Sequence, residues 1–175
     1  DWEPGRFDDA NFIFFDDQRE LDPELDEWLR AGEPPLFAGF GSMSGPGPRR
    51  AMRAFIEAVA PTGRRCVVSA GWAGFGSASV PAGWKVVGDV PLAQLFPRMA
   101  AVVHHGGSGT TASALRAGVP QVVLPLILDQ YHHAHMLYRA QLAPEPVAME
   151  RVTGLVLRER IDQALKMPSA QREST

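Results

Sequence analysis

The densest chemistry in the chain lies in residues 101–111, Ala101-Val102-Val103-His104-His105-Gly106-Gly107-Ser108-Gly109-Thr110-Thr111. An apolar strand runs into glycines and then directly into a helical stretch. Glycines let a backbone approach an anion with no Cβ in the way. The first N–H groups of a helix have no internal partner and point outward. The helix dipole adds roughly half a positive charge there, worth about 0.3–2 kcal/mol to an anion. Ser108, Thr110 and Thr111 add hydroxyls, and His105 adds a ring. The combination predicts a diphosphate cradle at a helix start, built from His105, Gly106, Gly107, Ser108, Gly109 and Thr110. A plain strand-to-helix turn would use glycine for packing but would need neither the histidine nor the hydroxyls.

Two further segments emerge on the same edge. Pro125-Leu126-Ile127-Leu128-Asp129-Gln130 places a carboxylate beside a carboxamide. Asp accepts from hydroxyls, and Gln both donates and accepts, so Asp129 and Gln130 suit a sugar. Asp129 also stands where it would cap the following helix, a role compatible with the first. Gly39-Phe40-Gly41-Ser42-Met43 ends another strand and offers Ser42 as a donor. All five histidines fall within residues 104–135. His132/His135 or His133/His135 offers a pair of metal ligands. No acidic residue or cysteine completes a familiar ligand spacing, so no metal is assigned, and this second group is expected on a partly exposed helix face. Trp84 opens a strand and reads as core. Trp72 is left open between rim packing and stacking on a base.

These segments need elements to position them. Leu21, Leu25, Trp28 and Leu29 recur at helical spacing, and Gly32 with Pro34-Pro35 ends that helix. Residues 1–35 are acidic and proline-spaced and read as a lead-in or linker, with the domain proper in residues 36–175. Apolar runs predict strands at 36–40, 65–70, 84–87, 100–104 and 121–124. Helices are expected at 49–60, 110–117, 129–141 and from Thr153 to about 166, with a short helical turn at 92–96. Loops at 41–48, 71–83 and 105–109 then share one edge. Continuous apolar strands alternating with helices imply an α/β fold, a doubly wound, Rossmann-like parallel sheet covered on both faces. Ligands in such sheets bind beyond the carboxyl ends of the strands.

Composition sets bounds on the function. A chain of 175 residues with a formal net charge of -3 has no bulk attraction for nucleic acid or anionic membrane. Any phosphate bound here must be held by local geometry. The single cysteine, Cys66, excludes an internal disulfide and a cysteine-based zinc site, and reads as a buried small hydrophobe. The acidic start does not read as a signal peptide, and the longest apolar stretch, 119–128, is too short to span a bilayer. The expected compartment is cytoplasmic.

Taken in order, Gly39-Phe40-Gly41-Ser42-Met43, Val87-Gly88-Asp89-Val90-Pro91, His104 to Thr110, Arg116-Ala117-Gly118-Val119-Pro120 and Pro125 to Gln130 resemble the C-terminal half of family 1 glycosyltransferases. The resemblance is to the bacterial antibiotic and sterol branch and runs from about Phe12 to the last helix. It implies one half of a GT-B fold, the nucleotide-sugar donor domain. It implies that His105 and the turn 106–110 hold the donor diphosphate, with Ser42 reaching toward it. Val87 to Val90 would line the base pocket through backbone, and Asp129 and Gln130 would bind the transferred sugar. The donor would be a UDP- or dTDP-sugar, with no other cofactor, and transfer to an acceptor hydroxyl would invert the anomeric carbon. A lipid, sterol-like or natural-product acceptor is implied.

The general base and acceptor pocket belong to the family's N-terminal domain, supplied in cis or by a partner chain. No catalytic base is therefore assigned here. The sequence departs from the plant and animal branch at Ser113, where an acidic residue usually contacts ribose. A rival fits Gly107-x-Gly109-x-x-Ala112 to a dinucleotide fingerprint with Asp129 as the ribose acid, which would make a nicotinamide-binding module. The twin histidine has no role in that scheme.

Overall fold

A computed structural model describes residues 17–71 and 80–167. Five strands form one sheet: β1 (Leu36–Gly39), β2 (Cys66–Ser69), β3 (Lys85–Val87), β4 (Ala101–His104) and β5 (Gln121–Val123). All are parallel, in the order β3-β2-β1-β4-β5. Around them lie α1 (Pro23–Arg30), α2 (Pro46–Val59), the single turn α3 (Leu92–Leu95), α4 (Ser108–Arg116), α5 (Asp129–Arg139) and α6 (Gly154–Ala164). The chain builds outward from β1 to β3, then crosses back to lay β4 on the other side of β1. That reversal is the topological switch point, where adjacent loops diverge and leave a crevice. The register pairs Gly39 with His104, so the loops that follow β1 and β4 leave the sheet side by side.

β1, β2, β4 and β5 are buried almost throughout, edge strand β3 is half-buried, and alternate side chains of the sheet feed two cores. Leu36, Ala38, Val68 and Val103 pack with Met52 and Phe55 of α2 and with Leu157 and Ile161 of α6. Phe37, Val67 and Val102 face the opposite way, against Leu95, Ala114 and three leucines from the start of the described chain. Trp84 packs edge-on against Phe55 at 5.5 Å, a core role, whereas Trp72 lies outside the described residues. Cys66 is fully buried, and desolvation pushes its thiol well above the ordinary range, which suppresses the reactive thiolate.

Two boundaries differ from expectation. α2 begins at Pro46, three residues early, because Pro46 and Pro48 fall in the first turn, where a missing N–H costs nothing. α4 begins at Ser108 and takes Ser108 and Gly109 out of the loop into its first turn. Thr153 caps α6 as expected, accepting from Val156 N–H at 3.4 Å.

The linker reading of residues 1–35 is corrected from Leu21 onward. Leu21, Leu25 and Leu29 are 6–7% exposed and belong to the second core. Asp22 caps α1 by accepting from Leu25 N–H at 3.1 Å. Outside the core face, Glu24 meets Lys85 at 2.6 Å, Asp26 meets Arg98, and the Arg65 guanidinium lies 3.8 Å above the Trp28 ring. Acidic residues misled the reading because they decorate the outer face of a helix whose inner face is core. Asp22→Ala is expected to lower global stability by about 1 kcal/mol in a single denaturant transition. An unchanged midpoint would mean that α1 is not part of the cooperative unit.

Candidate functional site

The glycine loop between β4 and α4 is built on a buried histidine. His104 ends β4 with no exposure and is bonded at both ring nitrogens. Its Nδ1 accepts from Gly106 N–H at 3.1 Å, so the proton resides on Nε2, which donates to Gln121 Oε1 at 2.9 Å. Burial lowers its pKa to about 3, so the ring is neutral. Gly106 has φ +88°, and a Cβ there would lie 2.9 Å from Val123 Cγ1 and 3.0 Å from the Gln130 carbonyl. Only glycine fits both the dihedral and the space.

Gly107 is the N-cap of α4, and the first helical bond runs from Thr111 N–H to the Gly107 carbonyl at 2.9 Å. The N–H groups of Ser108, Gly109 and Thr110 therefore precede the helix ladder and have no helical acceptor. No acidic side chain occupies that first turn, and the space beside Gly109 is open. Gly106 itself is not a phosphate donor in this arrangement, since its N–H is held by His104. It shapes the turn instead.

His105 lies against the glycines on either side of the crevice. A Cβ on Gly41 would sit 3.1 Å from its Cε1, and one on Gly107 only 2.4 Å from its Nε2. The ring is 9% exposed, and its Nδ1 is buried without a partner. Desolvation lowers its pKa, opposed by the negative charge of Asp129. A nearly buried imidazole with an unpartnered Nδ1 thus lies beside the open amides of a helix start. Ser42 follows Gly41 and is exposed at the mouth of the same loop.

A cleft of about 400 Å³ extends from here over the carboxyl edge, lined by Phe37, Gly39, Gly41, Ser69, Gly88, Asp89, Val90 and Thr110. A second hollow of about 590 Å³ adjoins it, sharing Asp89, Val90 and Thr110 and adding Ser113 and Arg116. Val90 lines both. Val87 does not: it is 8% exposed in the second core, and its carbonyl accepts from Ala70 N–H at 2.8 Å. The backbone available to a base therefore begins at Gly88. Ser113 donates its hydroxyl to the Gly109 carbonyl at 2.9 Å, one turn back in α4.

At the other end, Leu128 adopts φ 45°, a left-handed conformation strained for a leucine, and leads into α5. Asp129 opens the helix but makes no capping bond; its side chain is 61% exposed. The carboxylate lies 3.8 Å from His133 Nδ1 and otherwise faces solvent, and the capping role is set aside. Gln130 has a different place from that expected. It is 5% exposed, and its Oε1 accepts from Leu126 N–H at 2.9 Å and Ile127 N–H at 3.2 Å. It holds the strained loop rather than facing a sugar.

His133, one turn after Asp129, donates from Nδ1 to the Gly106 carbonyl at 2.8 Å. Neither this bond of His133 nor the part played by Gln121 is signalled by the sequence, since their partners lie 27 and 17 residues away, beyond any local spacing signal. Among the described residues no group of three His, Cys, Asp or Glu is arranged to hold a metal ion. No helix among them is long and apolar enough to cross a membrane.

Residues 64–169 match the family described as erythromycin biosynthesis protein CIII-like, C-terminal domain. The chain is 36% identical over 87% of its length to a sterol 3-beta-glucosyltransferase of Arabidopsis thaliana, of which it covers 25%. It is 46% identical over 67% of its length to the vancomycin aglycone glucosyltransferase of Amycolatopsis orientalis, covering 28% of that protein. The chain thus spans about a quarter of the length of these relatives. Among solved structures, the glycosyltransferase of kitacinnamycin superposes with a TM-score of 0.69 at 23% identity, over 81% of this chain and 37% of that one. Glycosyltransferase VinC in complex with dTDP gives 0.63 at 26%, over 83% and 37%.

The nicotinamide reading finds no support in these likenesses. Its acidic residue belongs at a strand tip, whereas Asp129 opens α5, beyond the loop 124–128 that follows β5. The chain belongs to the erythromycin biosynthesis protein CIII-like C-terminal domain family, the C-terminal domain of family 1, GT-B glycosyltransferases.

Proposed function

We propose that this chain is the donor-binding half of an inverting glycosyltransferase that takes a UDP- or dTDP-sugar. The observation that carries the reading is the meeting, at the switch point, of the unpartnered His105 ring with the open amides of α4. The diphosphate lies on Ser108, Gly109 and Thr110, with Ser42 at the mouth. The base enters the 400 Å³ cleft against Gly88 to Val90. The sugar lies toward Asp129, whose carboxylate accepts from its hydroxyls, while Gln130 holds the loop beneath.

In transfer, the bond from the anomeric carbon to the phosphate oxygen breaks, and its electron pair leaves with the nucleoside diphosphate. The acceptor oxygen bonds to the opposite face of that carbon, and its proton passes to a base in an N-terminal domain, in cis or on a partner chain. The transition state has oxocarbenium character, as in glycoside hydrolysis. This half contributes electrostatics: His105 and the α4 amides stabilise the charge growing on the departing phosphate. A lipid, sterol-like or natural-product alcohol is the acceptor class.

Calorimetric titration with UDP, dTDP and NAD tests the reading. UDP or dTDP binds, and His105→Ala weakens that binding about 10- to 100-fold, the worth of one charge-assisted hydrogen bond. Binding to NAD with none to either diphosphate would overturn it.

A further inference from the structure

The turn that presents the α4 amides is held from two directions. Gly106 N–H is taken by His104 Nδ1 at 3.1 Å, and the Gly106 carbonyl is taken by His133 Nδ1 at 2.8 Å. A carbonyl oxygen only accepts, so His133 carries its proton on Nδ1. The carbonyl of Gly106 and the N–H of Gly107 belong to one planar trans peptide and point in opposite directions. Drawing that carbonyl toward α5 therefore turns the Gly107 N–H away from α5.

The same imidazole lies 3.8 Å from Asp129 Oδ2 on its own helix. One side chain thus joins the helix that carries the sugar-facing acid to the peptide that starts the phosphate cradle. Glycine at φ +88° is free to rotate about its own bonds, so the orientation must be imposed from outside.

We propose that His133 is a positioning residue for donor binding, one that fixes the Gly106–Gly107 peptide so that the cradle is preorganised for a diphosphate. The proposal rests on the donor-site reading above. It predicts that losing the bond weakens recognition of the diphosphate and leaves recognition of the nucleoside untouched.

The test combines a ligand-free readout with a ligand series. Long-range ¹H–¹⁵N NMR of the imidazoles is expected to show His133 protonated at Nδ1 and His104 at Nε2. His133→Leu is expected to weaken UDP or dTDP binding about 10-fold, one hydrogen bond's worth. Uridine and thymidine, followed by chemical-shift titration, are expected to bind the variant as they bind the parent. His133→Asn, whose amide can donate from near the Nδ1 position, is expected to restore most of the loss. A His133 ring protonated at Nε2 overturns the proposal. So does a Leu variant that binds diphosphates like the parent, one that loses diphosphate and nucleoside alike, or an Asn variant with no recovery. A parent chain with the expected tautomers but no affinity for either diphosphate overturns the donor reading, and the role of His133 with it.

Discussion

Gly106→Ala is expected to lower stability by about 2–5 kcal/mol and to abolish measurable diphosphate binding. The backbone term alone, a left-handed dihedral for an L-residue, is about 1–2 kcal/mol. Overpacking adds about 1–3 kcal/mol. The added methyl would meet Val123 Cγ1 at 2.9 Å and the Gln130 carbonyl at 3.0 Å. Val123 is buried on β5 and Gln130 is locked to the loop backbone, so neither yields easily. Any relief must move the turn itself, and the turn aims the helix start at the ligand. Gly109→Ala is the control. That residue lies inside α4 with nothing within 4 Å of a Cβ, and alanine favours helix. Its stability is expected to stay level or rise by up to about 1 kcal/mol. Denaturant unfolding of both variants, with UDP and dTDP titrations alongside, checks the pair. A Gly106→Ala protein within about 0.5 kcal/mol of the parent would refute the close-packed turn.

The contrast between these two glycines shows what a sequence conveys and what it does not. The run of glycines after an apolar strand marked a loop that leads straight into a helix start, which the structure shows between β4 and α4. It did not say which glycine shapes the turn and which lies open in the helix. That depends on β5 and α5 closing over Gly106, a contact made only in three dimensions. The parallel sheet was legible because strands buried on both faces read as unbroken apolar runs. The strand order was not, so the contact of Gly41 with His105 across the switch point could not be read from either motif alone.

Gln130 and Val87 show the same limit from the other side. Their neighbours in sequence are right for a sugar and for a base. Yet a buried carboxamide must find partners, and the nearest are the free N–H groups of the strained loop before it. Val87 carries its hydrogen bonds inside the sheet, as its place in β3 requires. The first helix failed as a linker for a related reason. Charge counts describe the surface of an element, whereas the period of Leu21, Leu25 and Leu29 describes its core. Where the two disagree, the period decides membership in the fold.

Acid is expected to destabilise this protein through His104 well before its carboxylates titrate. Burial lowers the folded-state pKa to about 3 from an ordinary value of 6.5. Across that window the unfolded chain binds a proton that the folded chain refuses. Stability from this group is therefore fully present above pH 6.5 and is lost as pH falls below it, at up to about 1.4 kcal/mol per pH unit. Between pH 6.5 and 5 the loss is about 2 kcal/mol, a large share of the stability of a small domain. His105 is lowered by the same cause and adds in the same direction, although the field of Asp129 opposes it. His104→Asn separates the two, because it removes the titrating ring and leaves an acceptor near the position of Nδ1 for Gly106 N–H. The variant is expected to be less stable at pH 7.5, since Gln121 loses its donor, but to show a clearly shallower decline toward pH 5. Denaturant midpoints across that range read the slope directly. Equal slopes in parent and variant would mean that protonation of His104 does not limit the fold. A shallower slope would tie the acid sensitivity of the whole domain to the ring that holds its glycine loop.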